Sequence, residues 1–394
     1  MIKTALNTPC YIVLEDEFNS NIKLFRGALN KYFGQNAIIG YSFKTNSLPY
    51  LVNCAKKLGC YAETVSDTEY ELALKLGYKE NKIIYNGPIK SKALFKRALA
   101  SGSIINLDSE RELAWLEECD EYSNEKEIGV RVNFDVESIL PGQTSMGEKG
   151  GRFGFCDDNG DLTRAIQRIK KLKNIKLCGL HMHVSSKSKS TDIYEILTKR
   201  ACEIAKREDL ELKYLDIGGG FFGGGDGGKA YDNYIHKIYD VLSEYNMQRL
   251  TLIVEPGASV VATAFDYVVS VIDVKQTTMN KFVVTDGSRI HVDPFMRKSN
   301  YALSLPINDN KTADVQTLCG YTCMENDRFT ELANKQELSV GDVIRFHVVG
   351  SYTMCFTPLF IQYLPRVYAA SGDKYKLVRE LWGADEYLQK NIID

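Results

Sequence analysis

Tyr214-Leu215-Asp216-Ile217-Gly218-Gly219-Gly220-Phe221-Phe222-Gly223 is the stretch on which the fold turns. Its first four residues read as a strand, and the remainder satisfies G-x-G-x-x-G, the pattern of a dinucleotide-binding turn. That turn works only if a helix begins at the glycines, so that its N-terminus meets the pyrophosphate. Here Gly224, Gly225, Gly227 and Gly228 follow, and no helix is expected before about Tyr231. Gly218–Gly220 therefore reads as bare backbone cradling an anion at the end of a barrel strand. Gly224–Gly228 reads as a surface loop. A nicotinamide-dinucleotide enzyme is the alternative if a helix does start at the glycines.

Working outward, the glycine stretch closes the seventh of eight short apolar runs separated by amphipathic segments. The runs are Ile38–Phe43, Tyr61–Val65, Lys82–Tyr85, Ser103–Leu107, Ile128–Phe134, Ile175–His183, Leu212–Ile217 and Leu250–Val254. Alternation of this kind predicts parallel βα units, and eight of them predict a TIM (β/α)8 barrel with its chemistry at the C-terminal strand ends. Lys44, Glu63, Asn86, Asp108, Arg131, His183, Gly218 and Glu255 all stand at or just past such an end. Beyond Ala264 the runs Tyr267–Val274, Lys281–Asp286, Thr317–Thr322, Val343–Val349 and Pro358–Val367 follow one another without regular helices. The α/β barrel is thus expected at 21–263 and a C-terminal β-rich domain, sandwich-like or barrel-like, at 264–394. Residues 1–20 are expected to supply a short strand, Pro9–Leu14, ahead of the first barrel helix.

The 394 residues are 44% hydrophobic and 25% charged, as in a soluble globular protein. A net charge of −2 gives no bulk attraction to nucleic acid. No apolar run approaches the roughly 20 residues of a membrane span, and Met1-Ile2-Lys3-Thr4 does not open a signal peptide. Ten cysteines without a Cys-x-x-Cys pair, and five histidines without ligand spacing, argue for reduced thiols in a cytoplasmic protein and for no metal site.

Six motifs occur in order: Tyr-Ser-Phe-Lys44-Thr-Asn, Gly-Leu-His-Met-His183-Val-Ser-Ser, Leu-Asp-Ile-Gly-Gly-Gly, Glu255-Pro-Gly, Cys323-Met-Glu-Asn-Asp327 and Gly-Ser-Tyr352-Thr. Together they resemble the pyridoxal-phosphate-dependent decarboxylases of the ornithine/diaminopimelate type, from about Tyr11 to Tyr368. The resemblance implies an amino-acid decarboxylase, a carbon–carbon lyase that releases CO2. Lys44 would hold the cofactor aldehyde covalently. Glu255 would meet the pyridine nitrogen and keep it protonated, because an adjacent negative charge favours the cationic form. His183 would stack on the ring, with Arg131 nearby. Gly219, Gly220, Ser186, Gly257 and Tyr352 would grip the phosphate. Cys323 would enter the other subunit's active site and help protonate the carbanion, which implies a homodimer with shared sites. The N-terminal strand would pair with the C-terminal β domain, as in the family.

Three positions depart from the family pattern. Ala258 stands where an arginine usually follows Glu-Pro-Gly, leaving Arg152 and Arg289 as the cations available to compensate. Glu63 replaces a usual aspartate, and Ser185 a usual glycine. Substrate choice departs as well. Met324 occupies the place of the acid that meets a distal amine, and Glu325 beside it would face the other way if this segment were a strand. Arg297 and Lys298, in Phe295-Met296-Arg297-Lys298-Ser299-Asn300-Tyr301, offer cations instead. The expected substrate is therefore an amino acid with a neutral or anionic distal end. It resembles those of the branch acting on acylated or carrier-protein-linked amino acids, with Tyr352, Arg297, Lys298, Met324 and Glu325 near it. Diaminopimelate or another basic amino acid is the alternative, and a racemase using the same lysine is a further one.

Overall fold

The computed structural model describes residues 6–119, 124–188, 190–223, 228–306 and 311–392. The chain divides into two compact units, residues 19–260 and residues 1–18 with 261–394. Among the described residues no helix is long and apolar enough to cross a membrane.

The first unit is a closed barrel of eight parallel strands. They are Ala37–Ser42, Tyr61–Ser66, Ile83–Ile89, Ile104–Leu107, Lys126–Asn133, Ile175–His181, Tyr214–Asp216 and Thr251–Val254. Closure is made by the eighth strand on the first, with Ile253 opposite Ile38. The helices between them start and stop for local reasons. Ser66 caps Asp67–Lys75 by accepting from the Glu69 amide, while the Glu69 carboxylate reaches back to the Val65 amide. Gly102, at φ +80°, ends Lys92–Ser101 in the left-handed conformation. Inside the barrel, Tyr214 lies where Gly129 and Gly179 leave no side chain; a Cβ at either glycine would collide with the Tyr214 side chain.

Between the fifth and sixth strands the chain makes an excursion that the sequence reading did not separate out. It holds a one-turn helix, Val136–Ile139, a two-residue strand, Phe155–Cys156, and the helix Asp161–Ile169. With the strand ends it lines a cavity of roughly 250 Å³ that includes Arg131, Met146, Arg152, Phe153 and His183. After the seventh strand Lys229–Glu244 is helical, and Gly218–Gly223 starts no helix. The dinucleotide alternative therefore fails. Gly224–Gly227 of the expected surface loop lie outside the described residues.

The second unit is a nine-stranded mixed sheet. Cys10–Leu14 pairs antiparallel with Phe265–Gln276 and parallel with Arg366–Ser371. A register shift between Val271 and Asp273 lets the long strand pass from Val343–Phe346 to Lys281–Thr285. The expected strand at Pro358–Val367 is not there. Regular pairing begins only at Arg366, since Pro358 and Pro365 lack the amide a ladder needs, and Leu359, Phe360 and Ile361 are exposed. Arg328–Gln336 and Lys374–Arg379, strands at the ends of the sheet path, were missed because their outward residues are charged.

Candidate active site

Lys44 is placed by its own neighbours. The first strand ends at Ser42, the Thr45 amide donates back to the Ser42 carbonyl, and the Asn46 side chain accepts from the Leu48 amide. Pro49 then opens the next helix at its first position. The lysine amine donates to Glu63 Oε2 at 2.6 Å, and the glutamate side chain is 1% exposed against 38% for the lysine. Desolvation pulls the amine's pKa down, but the carboxylates of Glu63, Glu255 and Glu69 outweigh it, so the net shift is upward. Burial lifts the Glu69 carboxyl to about 7, and the charge of Glu63 adds to the rise.

Glu255 follows the eighth strand and is 4% exposed. Its Oε1 accepts from Asn86 Nδ2 at 2.5 Å, and Asn86 Oδ1 accepts in turn from Asn106 at 2.9 Å. Asn106 also donates to Asp216 Oδ2 at 3.1 Å and accepts from the Tyr214 hydroxyl at 3.0 Å. Asp216, fully buried, takes the Gly218 amide at 3.0 Å. Burial pushes the Asp216 carboxyl well up, and the charge of Glu255 and a hydrogen bond with it push the same way. His181 Nε2 lies 3.7 Å from Glu255, and desolvation, reinforced by Arg131, keeps the imidazole neutral.

His183 lies two residues beyond His181, near-parallel to it with ring centroids 6.3 Å apart. Its pKa is also pushed well down, first by desolvation and then by Arg131 and Lys44. Nδ1 accepts the Gly219 amide at 3.2 Å, which places the proton of the neutral ring on Nε2. Gly218, at φ +71°, has no room for a Cβ against His183, so only glycine fits this turn. Arg131 donates to Asp108 Oδ2 at 3.0 Å and to the His183 carbonyl at 3.4 Å, with its guanidinium 4.7 Å above the Phe153 ring. Asp108 Oδ1 also takes the Gly154 amide at 3.2 Å, tying the excursion to the strand end. Gly257 packs on Thr45, and Ser186 bridges to Thr144.

Several buried polar atoms here have no hydrogen-bond partner among the described residues: Glu63 Oε1, Arg131 Nε and both His181 nitrogens. Orphaned polar atoms around a primary amine, beside a glycine turn, suit a polar aromatic aldehyde carrying a phosphate. Residues 16–262, more than half of the chain, match the family model described as the pyridoxal-binding domain of pyridoxal-dependent decarboxylases. The chain belongs to this family.

Pyridoxal phosphate is therefore the decarboxylase's cofactor. Similar relatives include the diaminopimelate decarboxylase of Methanocaldococcus jannaschii, 26% identical over 98% of this chain and 91% of that protein. The probable chloroplastic diaminopimelate decarboxylase of rice is 28% identical over 98% of this chain and 80% of that protein. In fold, the decarboxylase is similar to a crystal structure of the M. jannaschii enzyme, with a TM-score of 0.87, 23% identity and coverage of 99% and 93%.

Gly220, at φ +93°, follows Gly219 in the barrel's glycine turn, and the other expected site residues lie in the second unit of the decarboxylase. Cys323 is exposed, in the turn between Thr312–Cys319 and Arg328–Gln336. The turn is held by Asp327, whose carboxylate accepts from Ser288, the Arg289 amide, and both the amide and hydroxyl of Thr322. Because 321–327 is a turn, the strand-alternation argument about Met324 and Glu325 does not apply. Glu325 is almost fully exposed and pairs with Arg328. Tyr352 adopts φ +65° and is partly exposed. Arg297 is exposed beside the Phe295 ring, whereas the Lys298 amine donates to the Val292 carbonyl at 3.2 Å. Arg289, named as a substitute phosphate cation, is engaged by Asp293, Tyr301 and the Lys298 carbonyl. The Gly219 amide, expected on the phosphate, is here given to His183. His181, Asn106 and Asp216 were not anticipated as site residues. The spacing of His181 and His183 by two, which puts both on one strand face, was the available signal for the first.

Proposed function

We propose that this decarboxylase removes the α-carboxyl group of diaminopimelate, with the cofactor held on Lys44. The observation that carries the reading is the convergence of Lys44, Glu63, Asn86, Glu255 and His183 at the C-terminal strand ends of one barrel. The substrate is supported by likeness along nearly the whole chain to relatives named diaminopimelate decarboxylase.

When bound, pyridoxal phosphate supplies an electrophilic aldehyde and a conjugated ring that accepts the electron pair left by departing CO2. The protein's share is charge and proton control. Lys44 must shed a proton from Nζ before it can act as a nucleophile, and Glu63 Oε2 at 2.6 Å is the adjacent acceptor. Glu255, fixed through Oε1 by Asn86, offers a carboxylate for a protonated ring nitrogen. His183, neutral through burial, provides an aromatic face that does not repel Lys44. Gly220, Ser186, Gly257 and Tyr352 are the phosphate contacts carried over from the resemblance, and Arg297 would meet a distal carboxylate. Cys323 Sγ would return a proton to Cα from the second subunit of a homodimer.

A second reading is favoured by Met324, which cannot neutralise a distal ammonium. In it, Arg297 receives an amino acid with only an anionic or neutral distal end, acylated or carrier-linked. Measuring CO2 release from diaminopimelate, lysine, ornithine, arginine and glutamate separates the two. Release from diaminopimelate supports the first reading and release from glutamate alone the second; release from ornithine alone defeats both. For the cofactor site, the purified enzyme should show the visible absorbance of lysine-bound pyridoxal phosphate. Lys44→Ala should abolish that band, and a Lys44→Ala protein that retains it would overturn the assignment.

A further inference from the structure

Asp216 and Glu255 are two carboxyl groups inside one barrel, 0% and 4% exposed, with side-chain oxygens within 4.8 Å of each other. Among the described residues no cation pairs with Asp216: its oxygens take the Gly218 amide and the Asn106 amide group, both neutral donors. Glu255 takes the Asn86 amide group. Among the described residues the other titratable groups facing the pair are Glu63, neutral His181 and His183, the Tyr214 phenol and Lys44, and Lys44 is already held by Glu63. Two like charges this close, in a site without water-like screening, do not both persist, and one proton must remain between them.

We propose that Asp216 is a neutral carboxylic acid that donates a hydrogen bond to Glu255, so that the two groups carry a single negative charge between them. Asp216 is then a positioning residue. Asn86 fixes one oxygen of Glu255, Asp216 fixes the other from behind, and the remaining lone pair is directed at whatever bears a proton in front. The Tyr214–Asn106–Asn86 chain, threaded past Gly129 and Gly179, holds the geometry. The inference rests on the reading in which Glu255 faces the cofactor's ring nitrogen and explains why that carboxylate stays singly charged. Were Asp216 ionised too, the nitrogen would face two negative charges and hold its proton to higher pH.

The test is isotope-edited infrared spectroscopy of the full-length enzyme, with and without added pyridoxal phosphate. Aspartate labelled with ¹³C at the side-chain carboxyl shifts only aspartate bands, so the cofactor's own bands do not interfere. At neutral pH the expected result is a label-sensitive C=O band of a protonated carboxylic acid. It should be lost in Asp216→Asn. Asp286, whose carboxyl is also pushed up by burial, makes the Asp216→Asn comparison necessary. Absence of the band in the wild-type enzyme, or its survival in a folded Asp216→Asn protein, overturns the proposal. The wild-type measurement stands even if a variant fails to fold. Failure of the cofactor reading would appear separately, as a Lys44→Ala protein that keeps its visible absorbance.

Discussion

His291 shows what a single residue costs when a sheet closes over it. It is 1% exposed, with Nδ1 2.5 Å from the Tyr267 hydroxyl and Nε2 without a partner among the described residues. Desolvation, with some help from Arg379, lowers its pKa to about 3. The unfolded chain would take up a proton near pH ~6.5 that the folded unit refuses. The stability it contributes is therefore complete above about 6.5 and is lost as pH falls through that value toward about 3. Each unit of depression corresponds to about 1.4 kcal/mol. The urea midpoint should fall as pH drops from neutrality to about 4, and the slope should be shallower in His291→Phe; an unchanged slope would refute this. The same scale shows what was legible in the sequence. Lys44, Glu255 and His183 stand out because they follow apolar runs. Asp216 and Asn106 do not, because a lone polar residue within a strand reads as outward-facing, and only barrel closure turns it toward the axis. Strand alternation does not separate Met324 from Glu325 for a different reason: they follow the apolar run Thr317–Thr322, and the four contacts of the Asp327 carboxylate bend the segment into a turn.

Among the elements, the barrel strands were readable because burial on both faces gives them near-continuous apolar runs. Charged strands at the sheet's ends hide the same signal, which is why Arg328–Gln336 went unseen. Two features of the barrel carry predictions. Tyr214 occupies the interior only because Gly129 and Gly179 lack side chains. Gly179→Ala places a methyl against a buried ring and should destabilise the protein by about 1–3 kcal/mol, read as a lower urea midpoint. Helix Glu110–Glu117 is anchored by Glu112, whose carboxylate accepts from Lys90 at 2.9 Å and from the Asp108 amide at 3.0 Å. Both side chains of the ion pair are fully buried. Burial pushes the lysine down and the glutamate up, while the Gly87 and Asn106 carbonyls also receive the ammonium and oppose its loss of charge. Lys90→Met would strand the carboxylate and should cost about 3–5 kcal/mol, whereas Lys90→Met with Glu112→Leu should recover much of that loss. Because Asp108 holds Arg131, the single variant should also loosen cofactor binding, measured by fluorescence titration with pyridoxal phosphate.

At the scale of the whole molecule, the residues to which the proposed function gives roles fall in two units. The amine, the carboxylates and the histidines belong to the barrel; the exposed thiol of Cys323 belongs to the β unit. The family resemblance assigns that thiol to the partner's site, so each site of the proposed homodimer needs one barrel and one β unit from different chains. Subunit mixing tests this directly. Lys44→Ala should be inactive, and Cys323→Ala strongly impaired, each as a homodimer. Mixed in equal amounts and allowed to exchange, half of the dimers pair one of each. In such a dimer both lesions fall in one site and the other site is intact. CO2 release should then recover to about a quarter of the wild-type rate. If each site were built from a single chain, every site in the mixture would carry one lesion and no recovery would appear. The two outcomes differ because of which chain supplies the thiol, not because of how well either variant folds, provided that both variants sediment as dimers.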